Sequence, residues 1–132
     1  MSRVAILISS TLLFLTLVPV LALAEEKSPN KPEMKTYYLV FLLKGPNRGQ
    51  DSTEAAKIQE AHLAHLTKMY NEGKMAIAGP LLDDQDLRGI CVYDVKTLEE
   101  AKALAEADPA VKTGRLKVEV HPWMSMRGAK LP

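Results

Sequence analysis

Two histidines three residues apart, His62 and His65 in the stretch EAHLAHLTKMY, are the side chains of this sequence best suited to moving a proton. An imidazole has an unperturbed pKa of about 6.5 and works best when a carboxylate fixes its tautomer. Asp108, at the end of a helical segment beside an apolar turn, is the carboxylate that could do this, although spacing alone leaves the pairing open. The same two histidines could donate metal ligands, but a zinc site takes at least a third protein ligand. The sequence has no H-E-x-x-H and no clustered acidic partner, so no metal is assigned to the pair. Two core histidines bonded to backbone or solvent are the remaining reading.

Other residues carry weaker signals. Arg48 and Arg88 flank a loop and a hairpin where a pocket could open, and either could clamp an anionic substrate. Cys91, the single cysteine, sits in the apolar run GICVYDV and reads as an inert buried thiol. His121, Met124 and Met126 in HPWMSM are soft or borderline ligands that could hold Cu(I), with Trp123 near enough for a cation–π contact. Against that, methionine and tryptophan also fill gaps at seams between subunits.

These residues depend on the elements that carry them. At 100° per residue, His62, His65 and Met69 all fall within about 40° of Ile58. Both histidines therefore share the apolar stripe of a helix over 53–71, away from Lys57, Glu60 and Lys68. Ser52 or Thr53 is its expected N-cap, and Gly73 marks its end. Strands are expected at 35–43, 74–79, 88–95 and 115–123, and a second helix over 97–107 is capped by Thr97 with Glu100 three residues on. Asp108-Pro109 ends that helix or opens a short turn through Val111.

The order β-α-β-β-α-β is that of a ferredoxin-like sandwich, an α+β fold with two helices on one face of a four-stranded antiparallel sheet. The first strand, KTYYLVFLL, is apolar on both faces, so the face without helices also needs cover. A homodimer, sheet against sheet, is the simplest cover.

The rest of the chain is organised around this domain. Residues 1–24 carry one charge, Arg3, then an apolar run ending in Pro19 and Ala22-Leu23-Ala24, as in a secretory signal peptide. Cleavage is expected after Ala24, with a retained membrane anchor as the alternative. Export to the periplasm or outside the cell follows. Residues 25–34 read as a flexible leader, 35–123 as the domain, and 124–132 as a tail without period. Removal of Arg3 leaves 16 basic against 16 acidic residues, which gives no basic surface for nucleic acid and no membrane attachment after cleavage.

The runs HLAHLTKMYNEGKMAIAGP, RGICVYDV, EEAKALAEADPAVKTGRL and VEVHPW resemble the YCII-related (YciI-like) domain family over about residues 36–123. The marks are a helix histidine (His62), a Gly-x-x-x-x-Ala-Gly-Pro run from Gly73 to Pro80, and an Asp-Pro after the second helix (Asp108-Pro109). The resemblance implies a ferredoxin-like fold pairing as a dimeric α/β barrel and a His–Asp site, with His62 as acid–base and Asp108 as its partner. His65 matches a second histidine found in part of the family, placed here with Arg48 and Arg88 as a substrate contact. The wider barrel superfamily implies a small, often aromatic or lactone-like substrate and no cofactor. The expectation is an exported, cofactor-independent lyase or isomerase. A small-molecule binding module without turnover is the alternative, and Cu(I) handling the third reading.

Overall fold

The structure, a computed structural model, describes residues 31–132; the expected signal peptide and most of the leader lie outside the described residues. The aromatic and branched residues of MKTYYLVFLLK form β1 (Met34–Lys44). After a loop, α1 (Ser52–Asn71) leads to β2 (Met75–Pro80) and β3 (Leu87–Tyr93). Then come α2 (Leu98–Glu106), a single turn α3 (Pro109–Lys112) and β4 (Leu116–Met126). The sheet order is β2-β3-β1-β4 and every pairing is antiparallel. This is the ferredoxin-like βαββαβ sandwich.

Alternation along β1 divides the sheet into two faces. Tyr38, Val40 and Leu42 point to the helices and, with Cys91, Tyr93, Met69, Met75, Ala101 and Ala105, make the core. Leu39 and Phe41 point the other way and are only half-buried, so one chain alone does not supply the expected cover on that face. Small residues at Ala101 and Ala105 let α2 sit close on the sheet.

Three local readings change. The N-cap of α1 is Asp51, whose carboxylate accepts from the Glu54 N–H at 2.9 Å, in place of Ser52 or Thr53. Aspartate caps as well as serine, and here it satisfies an otherwise orphaned amide. Asp108-Pro109 opens a new turn: Asp108 caps α3, with Pro109 at its first position. The tail is strand as far as Met126, since β4 pairs with β1 without a break from Lys44↔Leu116 to Met34↔Met126. Backbone pairing needs no side-chain period, so the lost alternation beyond Trp123 hid it.

Candidate active site

His62 lies mid-way along α1, on the side facing α3, and Asp108 caps α3 directly opposite. His62 Nδ1 and Asp108 Oδ2 are 2.6 Å apart. Both side chains are buried, with 7% and 2% of their residue surface exposed. The second carboxylate oxygen, Oδ1, accepts from the Ala110 N–H at 2.9 Å. A carboxylate can only accept, so Nδ1 carries the proton and the lone pair of neutral His62 is on Nε2. Among the described residues no buried side-chain nitrogen or oxygen lacks a partner. Nε2 has no protein partner and therefore opens to accessible space. That space is a cavity of about 420 Å³ between α1 and the end of the sheet where β1 and β2 finish and β3 and β4 begin.

Arg48 and Arg88 both line this cavity with His62. His65 does not, in place of the substrate contact expected of it. Its Nε2–H donates to the Leu104 carbonyl at 3.0 Å and ties α1 to α2. Gly79 and Pro80 form part of the wall.

Two polar lining residues, Gln59 and Arg115, were not marked by the sequence, and Cys91 was marked only as a buried thiol. Gln59 precedes His62 by one helical turn, which is the signal that could have found it. Arg115 follows Gly114 at the start of β4, and the antiparallel order brings that start beside the end of β1.

Cys91 is a neutral wall. Burial pushes its thiol up to about 12 from 9.0, and the nearby Asp108 carboxylate pushes in the same direction. Burial also raises the Tyr93 hydroxyl, helped by Cys91 and Asp108. Neither group ionises near neutral pH.

The Cu(I) reading fails on strand geometry. His121, Met124 and Met126 all lie on β4, where an odd separation sends side chains to opposite faces. His121 packs on Phe41, ring centroids 5.3 Å apart, while Met124 and Met126 stand on the other side of the strand. Trp123 leans on Tyr37 at 6.3 Å. Among the described residues no three His, Cys, Asp or Glu side chains converge as a metal would require.

A four-stranded antiparallel sheet under two helices, with a buried histidine–carboxylate pair opening on a cavity, defines a ferredoxin-like α+β domain. Within that class the chain belongs to the YCII-related domain family, whose profile matches residues 36–124. Protein YciI of Escherichia coli O6:H1 and protein YciI of Shigella flexneri are each 26% identical over 84 residues, covering 58% of this chain and 86% of theirs. Among solved structures, the 5-chloro-2-hydroxyhydroquinone dehydrochlorinase TftG of Burkholderia phenoliruptrix AC1100, in complex with 2,5-dihydroxybenzoquinone, matches with a TM-score of 0.49 and 25% identity. The match covers 66% of this chain and 92% of that one.

Proposed function

We propose that this protein is a cofactor-independent acid–base enzyme of lyase or isomerase type, acting on a small organic molecule through His62 and Asp108. The observation that carries the reading is the 2.6 Å contact on Nδ1 with Nε2 left open to the cavity. In this reading Nε2 takes a proton from a substrate carbon beside an electron-withdrawing group. Asp108 stabilises the imidazolium that forms. The same Nε2–H then returns the proton to another carbon or to the leaving group, so the enzyme ends as it began. The chain is exported, with cleavage after Ala24, and works as a homodimer joined through the sheet face that carries no helices. Support for export is the charge and apolar pattern of residues 1–24. Among the described residues no helix is long and apolar enough to cross a membrane.

The test is deuterium uptake from D2O, followed by proton NMR, across small lactones, cyclic ketones and hydroxylated aromatic acids. Wild type should exchange or convert at least one compound, and His62→Gln should lose about 10²-fold or more in rate while still binding it. Asp108→Asn is the sharper probe. Its Oδ1 still caps Ala110, but its amide donates to Nδ1, which moves the histidine proton to Nε2 and removes the base. It should fold as wild type does and lose a similar factor. Equal rates in wild type and His62→Gln on a bound compound would leave the non-catalytic binding module as the better reading.

A further inference from the structure

The charge of the cavity wall is one-sided. Arg48, Arg88 and Arg115 line it together with His62, and no aspartate or glutamate does. Arg88 is partly neutralised and held in place by Asp84 at 3.2 Å and by the carbonyls of Asp83 and Gln85. Arg48 and Arg115 are different, since neither lies within salt-bridge distance of a carboxylate among the described residues. Arg48 Nη1 donates to the Arg115 carbonyl at 2.9 Å, and Arg115 Nη1 donates to Gln50 Oε1 at 3.0 Å. Each guanidinium carries five N–H donors, so most of each fork is uncommitted.

The backbones that bear these two arginines are stitched together. Gly45 N–H donates to the Arg115 carbonyl, and Asn47 N–H to the Gly114 carbonyl, at 3.0 and 2.9 Å. The Asn47 amide adds a bond to the Thr113 carbonyl. Two like charges are thus carried on neighbouring, ordered backbone and line one cleft, whose low-dielectric walls focus their field. Leu42, Leu66 and Leu116 line the same cavity and give it an apolar floor. A volume of about 420 Å³ is near the small end of ligand cavities, enough for a single ring with its substituents.

We infer that the cavity takes a small organic anion, a carboxylate or acidic phenol on an apolar ring-sized body, and that Arg115 is a specificity-determining residue that grips its charged end. This rests on the cavity being the substrate site and adds the substrate class. The arginine fork matches a carboxylate in two parallel hydrogen bonds. An acid head held by Arg48 and Arg115 lays the body along the leucine floor with its carbons toward His62 Nε2.

The probes are 4-hydroxybenzoate, its neutral isostere 4-hydroxybenzamide, and inorganic phosphate, titrated by NMR shift perturbation against the intact mature protein. The benzoate should bind at least tenfold tighter than the benzamide. Arg115→Gln and Arg48→Gln should each weaken the benzoate about tenfold and leave the benzamide unchanged, and Arg115→Lys should recover only part of the loss. Equal binding of benzoate and benzamide, or benzoate binding indifferent to both arginine variants, overturns the inference. Phosphate binding as tightly as the benzoate overturns the organic-acid assignment. Repeating the titration in His62→Gln separates this from the catalytic reading. Arginine-dependent benzoate binding there upholds the anion site even if no turnover is found. Proton exchange confined to neutral compounds keeps the acid–base reading and removes this one.

Discussion

Asp108 shows how much one side chain can settle in a small domain. One oxygen caps α3 through Ala110 and the other fixes the His62 tautomer, so the turn that ends the second helical segment and the orientation of the imidazole share one carboxylate. Its charge also reaches the core, where it adds to the burial that holds the Cys91 thiol and the Tyr93 hydroxyl neutral. A group that binds its proton more tightly folded than unfolded stabilises the fold fully below its unfolded pKa. For Cys91 that stability is present below pH 9.0 and is lost as the pH rises toward about 12. Wild-type unfolding free energy should therefore fall between pH 9 and 10 by up to about 1.4 kcal/mol per titrating group. Cys91→Ala lowers stability at every pH by trimming the core, but its slope over that interval should be flatter. Urea titrations at pH 8, 9 and 10 check this, and parallel slopes in the two proteins would assign the alkaline loss to other groups.

At the scale of elements, the site is made where the loop after β1 crosses the start of β4. Gly114 takes φ +73°, a conformation glycine adopts without strain, and turns the chain from α3 into β4. A Cβ on Gly45 would overlap the Gly114 carbonyl oxygen, and the backbone there cannot swing aside as a flexible side chain would. Gly45→Ala should cost about 1–3 kcal/mol of unfolding free energy by forcing the loop off β4. It should also weaken 4-hydroxybenzoate binding, because Arg48 and Arg115 sit on the two separated backbones. Gly49→Ala, with nothing within 4 Å of the added Cβ, should change stability by less than about 0.5 kcal/mol. Denaturant melts of the pair read the difference, and equal effects would refute the close-crossing argument. The order of elements was legible in the sequence because strand alternation, the Thr97 cap and the Gly and Pro breaks all act locally. The helical phase of His62 was legible too. Phase could not separate His62 from His65, since both share the stripe, and only the neighbours decide: α3 and the cavity for one, the Leu104 carbonyl of α2 for the other. Arg115 was missed because its meaning comes from the crossing with Gly45, a contact between residues distant in sequence.

At the scale of the molecule, the helices protect one sheet face and leave the other to something else. That face carries Leu39 and Phe41 on the central strand β1, half-buried, with Ile77, Ile90 and Trp123 around them, between 36% and 43% exposed. Charges stand toward its margins, at Lys117 and Glu119 on β4 and at Lys35, paired with Asp94, at one end of β1, while Leu39, Phe41, Ile90 and Val92 keep the middle of the sheet apolar. A patch of this kind on a nearly neutral chain favours self-association, and in the proposed homodimer a twofold axis through the sheet would bring the same residues together from both copies. A stable pair of this size buries about 1,200–2,000 Å² in total. A charge at Leu39 would be stranded in the middle of that interface but can reach solvent in a single chain. Leu39→Glu should therefore keep its helical and strand circular dichroism and convert a dimer into a monomer in light scattering after size exclusion. Glu119→Gln, at the margin of the face, should leave the dimer intact. Wild-type mature protein that runs as a monomer at roughly 100 µM, well above the Kd of a stable dimer, would show that the open face serves some other contact.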